Sequence, residues 1–189
     1  MLDEINQKCP KLRKQIFGQL AIKINPNIIS CFALLSAIAA GYFFWQNILW
    51  LAGILVLLNG FFDIMDGEIA KKYGASKFGD FLDHTFDRLA DVAILIGITF
   101  NPNIPIWLGF VTIIAVLLVS YMGTQAQALT KKRLYTAVAS RADRILILGL
   151  GGIIATFYFD VLYYALWLLL VLSAITFFQR FYLISQKLK

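Results

Sequence analysis

Six apolar stretches, each about as long as a bilayer crossing, account for most of this chain and constrain its fold more than any single motif. A helix needs about 20 mostly apolar residues to cross the hydrocarbon core of a membrane. The stretches lie near 27–46, 48–71, 79–100, 104–128, 141–158 and 161–184. Hydrophobic residues make up 60% of the sequence and charged residues 15%, where a soluble globular chain carries roughly 25% charged. The 189 residues leave no room for a separate soluble domain beside these spans. The expected fold is therefore an all-α integral membrane protein with six transmembrane helices.

Residues 1–25 precede the first span and have a different pattern. Lys8, Lys11, Arg13, Lys14 and Lys23 interleave with Leu12, Ile16, Phe17, Leu20, Ile22 and Ile24. Such a segment suits an amphipathic helix lying in the membrane interface. The organisation predicted is thus an interfacial segment, 1–25, followed by one six-span domain, 26–189. The first residues carry acids and lack an apolar core with a small-residue cleavage site, so they do not read as a signal peptide. Cys9 and Cys31 have no CxxC spacing and no nearby histidine, and read as small apolar residues.

Charge placement sets the orientation. All 17 Lys and Arg fall in the N-terminal segment, the two longer connections, the helix ends beside them, or the C-terminal tail. The short turns at Trp45–Asn47, Asn101–Pro105 and Phe159–Asp160 carry none. By the positive-inside rule both termini are cytoplasmic in a multi-pass protein of the cell membrane. Trp45, Trp50, Trp107, Phe159 and Tyr163 gather toward the opposite boundary as an aromatic belt. The net charge of +6 suits contact with anionic membrane lipids rather than nucleic acid.

Against this background, seven of the 11 acidic residues lie between Asp63 and Asp91. A carboxylate in a membrane is costly unless it faces a cavity, a cation or a partner. Asp63, Asp66, Gly67 and Ala70 occupy one helical face, and Gly79, Asp83, Asp87 and Asp91 another. Antiparallel neighbouring helices would bring these faces together near the cytoplasmic boundary. Four convergent carboxylates need cations, and an all-oxygen donor set favours Mg²⁺ or Mn²⁺ over zinc. Two such ions can clamp the attacking and leaving oxygens of a phosphoryl transfer. Cation transport is the competing function, but it predicts acids in the middle of broken spans, and these lie near span ends.

The residues Asp63-x-x-Asp66-Gly67-x-x-Ala70-Lys71…Gly79-x-x-x-Asp83-x-x-x-Asp87 closely resemble the signature of the CDP-alcohol phosphotransferases. The resemblance extends over nearly the whole chain and includes Pro26-Asn27 before the first span. It implies cleavage of a CDP-lipid, release of CMP, and transfer of the remaining phosphoryl group to an acceptor hydroxyl. It also implies that Asp63, Asp66, Asp83 and Asp87 hold two divalent ions, with Asp87 as general base. Asp66, Gly67, Ala70, Lys71 and Gly79 would form the nucleotide site, and relatives form homodimers. Two departures stand out. Lys71 replaces the family's usual Arg and lacks its bidentate fork, and seven residues rather than eight separate it from Gly79. Presence of all four acids argues against a non-catalytic lipid-binding relic.

A basic pocket beside a metal site suits a phosphorylated acceptor. Arg141 and Arg144, one turn apart at a span entrance, resemble the R-x-x-R pair of relatives that use inositol phosphate. Lys132 is a further candidate, with lipid headgroups its alternative partner, and Gln125 is placed to meet sugar hydroxyls. The segment 78–91 looks most like archaeal members. This implies an archaetidyl-type CDP-lipid donor and myo-inositol 1-phosphate as leading acceptor, with glycerol phosphate or serine as alternatives. Of the remaining polar residues, Glu68 and His84 read as lying off the acidic faces, and Asp91 as a buried hydrogen-bonding group.

Overall fold

The computed structural model describes residues 25–74, 76–130 and 140–188. The expected interfacial helix and Lys132 lie outside them. Six helices occur among the described residues: α1 Pro26–Trp45, α2 Leu49–Tyr73, α3 Lys77–Thr99, α4 Ile106–Thr130, α5 Arg141–Ala155 and α6 Asp160–Lys187. No strand occurs among them.

Local chemistry sets the helix ends. Pro26 opens α1, where its missing N–H costs nothing, while the Asn25 side chain accepts from Asn27 N. Ser76 caps α3 by accepting from Gly79 N at 2.9 Å. Ser140 and Asp143 form a reciprocal capping box at the start of α5, which satisfies two donors that a helix start otherwise leaves orphaned. The tight α1–α2 turn passes through Asn47 at φ 60°, a conformation asparagine tolerates better than most residues. Asn101 donates to Phe44 O at 2.7 Å and to Asn47 Oδ1 at 3.1 Å, tying this turn to the one after α3.

Packing closes the six helices into a ring in the order α1, α2, α5, α6, α4, α3. Although a short connection joins α2 to α3, each packs chiefly on α1. The two acidic helices are therefore bridged by a third rather than packed directly on one another, as the sequence had suggested. That separation leaves a cleft between them. At the α1–α3 crossing, a Cβ on Gly97 would collide with the Gly41 backbone, and one on Gly41 with the Ala93 carbonyl. Small residues of this kind let membrane helices approach closely.

The outward faces are apolar. Phe32, Leu35, Ile38, Tyr42 and Trp45 form one stripe along α1, each more than half exposed. In water this would be an aggregation hazard; against lipid it is the expected surface. Four helices, α1, α2, α4 and α6, are long and apolar enough to cross a membrane. The other two depart for separate reasons. The first two-thirds of α3 carry Lys77, Asp80, Asp83, Asp87, Arg88 and Asp91. Helix α5 has only 15 residues, because the chain turns after Ala155, where the N–H groups of Phe157 and Tyr158 both donate to Ile154 O. The expected span had continued to residue 158.

Candidate active site

The N-terminal parts of α1 and α3, the C-terminal half of α2 and the start of α5 converge on the acids. Asp63, Asp66 and Asp83 each present a carboxylate oxygen, all within 4.8 Å of one another. Asp66 is buried, and Ser30 on α1 donates to its Oδ2 at 2.6 Å. A converging all-oxygen group of this size fits a hard divalent cation. His84 was read from the sequence as lying off the acidic face. Instead one of its ring nitrogens lies within 4.8 Å of carboxylate oxygens of Asp83 and Asp87. Its Nε2 is 3.7 Å from Asp80. Asp83 thus belongs to two candidate cation groups, and a nitrogen donor borders the second.

Arg141, the first residue of α5, reaches into the same cluster. Its Nη1 contacts Asp63 and lies 2.8 Å from Asp87 Oδ1, while Nη2 is 3.5 Å from Asn59 Oδ1 and Nε 3.9 Å from an Asp91 oxygen. The capping box at Ser140 and Asp143 fixes the backbone from which this side chain departs. One turn on, Arg144 is enclosed and donates to Asp91 Oδ2 at 2.6 Å. Arg144 faces the bundle interior beside Val56, Ile94, Leu95 and Val116, away from the four acids. Gln125 is further removed: it bonds the Tyr121 hydroxyl at 3.0 Å, and no described contact joins it to the cluster.

Beside the acids lies a cavity of about 450 Å³. Gly67, Ala70, Lys71 and Gly79 line it, with Asn27, Ser30 and Asp66 completing its α1–α2 wall. A Cβ placed on Gly67 would meet nothing within 4 Å. Packing therefore does not demand glycine there, and its effect is to keep the cavity wide. The Lys71 ammonium sits 3.0 Å from Glu68 rather than among the Asp carboxylates, and is largely exposed. Arg88 lies 3.4 Å from Asp87, as a charge-balancing partner.

Three contributors escaped the sequence reading: Ser30, Asn59 and the turn of His84 toward the acids. Asn59 carried a usable signal. It is a lone amide in an apolar span, one turn before Asp63 and on the same face. Ser30 carried none, since hydroxyls are common in membrane helices.

Residues 23–179 match the family model for CDP-alcohol phosphatidyltransferase. The chain belongs to that family. Among its relatives is the archaetidylinositol phosphate synthase of Pyrococcus horikoshii, 34% identical over 100% of this chain and 99% of that one. The synthase of the same name from Methanothermobacter thermautotrophicus is 31% identical over 98% of this chain and 96% of its own length. Among solved structures, Mycobacterium tuberculosis phosphatidylinositol phosphate synthase with CDP-DAG bound superposes with a TM-score of 0.75. It is 24% identical, over 88% of this chain and 89% of that one. Its complex with manganese and citrate gives a TM-score of 0.77, also at 24% identity, over 88% and 85%. These two likenesses establish a shared fold. As a family member, the chain is a membrane-helical transferase of phospholipid synthesis.

Proposed function

We propose that this CDP-alcohol phosphatidyltransferase moves an archaetidyl-type group from a CDP-lipid to myo-inositol 1-phosphate and releases CMP. The observation that carries the proposal is the meeting of four aspartates from α2 and α3, an open glycine-lined cavity beside them, and the Arg141 guanidinium from α5. The names of two near-full-length relatives support the inositol phosphate acceptor and the archaetidyl donor.

Gly67, Ala70 and Gly79 leave room for the cytidine, and Asp66, held by Ser30, turns toward the same cavity. Lys71 reaches the diphosphate by leaving Glu68, a surface pair of little strength. Asp63, Asp66, Asp83 and Asp87 would hold two ions, Mg²⁺ or Mn²⁺, which would supply charge neutralisation of the phosphates and so favour departure of CMP. Asp87 accepts the proton of the acceptor hydroxyl. The acceptor oxygen then bonds to the lipid-linked phosphorus as the bond to CMP breaks. Arg141 grips the acceptor phosphate, a task suited to a planar guanidinium. Arg144 acts at one remove, by fixing Asp91 beside Arg141.

In the membrane, α3 and α5 complete a six-span bundle with the four apolar helices, because both are enclosed in the same ring. The basic segment 1–25 lies on the cytoplasmic interface and 26–189 form the catalytic domain, with both termini and the site cytoplasmic and the active unit a homodimer. A lipid tail can then stay in the bilayer while its headgroup meets a soluble acceptor.

The test is purified protein with CDP-archaeol, Mg²⁺ or Mn²⁺, and separate acceptors: myo-inositol 1-phosphate, glycerol 1- and 3-phosphate, and serine. CMP release with inositol phosphate above all others is expected. Release with serine or a glycerol phosphate alone would transfer the proposal to that acceptor.

A further inference from the structure

The four acids that would hold the two ions are not alike in what they already contact. Asp63, Asp66 and Asp83 converge on one another with oxygens alone. Asp63 and Asp87, which come from different helices, are instead joined by a cation belonging to the protein, the Nη1 of Arg141. The guanidinium is well enclosed, with 15% of its side chain exposed, and Asn59 steadies its other nitrogen.

A divalent ion bound to Asp63 Oδ1 and Asp87 Oδ1 would take the oxygens that Arg141 now contacts. It would also stand within a few ångströms of the guanidinium charge, in a setting where like charges repel strongly. Charge balance points the same way. Four carboxylates neutralise two divalent ions, leaving nothing for Arg141 to neutralise, while the neighbouring Asp91 already has Arg144 at 2.6 Å. Once displaced, Arg141 is a buried cation that requires another anion. The long side chain can swing about its fixed α5 origin without moving the helix.

We propose that Arg141 and the second divalent ion compete for Asp63 and Asp87, so that loading this ion frees the guanidinium to bind the phosphate of the acceptor. Metal and acceptor phosphate then favour one another's binding, and the first ion, at Asp63, Asp66 and Asp83, leaves the Arg141–Asp87 contact in place. The inference rests on the reading above that these acids hold two ions.

Manganese titration of the purified full-length protein, followed by electron paramagnetic resonance without donor, tests it. The wild type is expected to bind two ions in unequal steps. Removing a charge-assisted contact in Arg141→Met tightens the weaker step about 10-fold and the tighter step much less. A second measurement needs no variant: phenylglyoxal labelling read by mass spectrometry. Arg141 is protected in EDTA, labels several-fold faster with Mn²⁺, and is protected again by added inorganic phosphate. Arg144 stays protected throughout. An unchanged or weakened second step in Arg141→Met, or labelling of Arg141 indifferent to Mn²⁺, overturns the competition alone. A wild type that binds no Mn²⁺ overturns the two-ion reading together with it.

Discussion

The Ser30 hydroxyl donates to Asp66 Oδ2 at 2.6 Å, across the α1–α2 boundary and largely shielded from solvent. This one bond fixes the orientation of a carboxylate shared by the cavity and the cluster of acids. Outer-shell partners of metal-binding carboxylates typically matter by 10–100-fold. Ser30→Ala should therefore fold normally but lower the apparent Mn²⁺ affinity about 10-fold. CMP release measured across a Mn²⁺ series checks this; an unchanged half-saturation point would show that Ser30 only fills space.

Arg144 and Asp91 make a different kind of pair, enclosed at 6% and 8% exposure. Removing one member of a buried pair leaves an uncompensated charge and costs about 3–5 kcal/mol. Arg144→Met should accordingly unfold well below the wild type in detergent. The double variant Arg144→Met with Asp91→Leu should recover most of that loss, because no charge remains to be solvated. The recovered protein should keep a near-wild-type KM for myo-inositol 1-phosphate. A large rise in that KM would restore Arg144 to direct contact with the acceptor.

Two glycines make opposite predictions. Gly67→Ala meets no neighbouring atom and gains up to about 1 kcal/mol of helix propensity. The variant should be as stable as the wild type or slightly more so, yet bind the CDP-lipid more weakly as its cavity narrows. Gly97→Ala would drive a methyl into the Gly41 backbone, and should destabilise the protein in the absence of any ligand. Thermal unfolding beside KM for CDP-lipid separates the two; an unchanged KM in Gly67→Ala would remove that wall from the donor site.

His84 lies close to Asp83 and Asp87, with Asp80 3.7 Å from its Nε2. Imidazole suits softer ions better than Mg²⁺. His84→Asn should weaken Mn²⁺ activation several-fold more than Mg²⁺ activation. Equal losses with the two ions would assign His84 to packing alone.

The helices themselves were legible because their ends are written in local chemistry. Pro26 opens α1 as expected, and the six expected stretches end within about three residues of the observed helices. Periodicity likewise assigned the acids to two faces. It could not say which faces meet, since that depends on packing between segments far apart in the chain. Hence the bridging of α2 and α3 by α1 was invisible, as was the reach of Arg141 to Asp63. The early end of α5 was hidden too, because Thr156–Phe159 continue an apolar stretch in which nothing but backbone geometry marks the turn.

The most direct test of the account is the Asp87→Asn variant, which keeps the size and hydrogen-bonding reach of the side chain while removing its charge and basicity. CMP release from CDP-archaeol with myo-inositol 1-phosphate and Mn²⁺ should fall at least about 100-fold, the scale of a lost general base, in a protein that folds as the wild type does. Full activity in folded Asp87→Asn would contradict the central claim that the carboxylates of α2 and α3 perform the transfer.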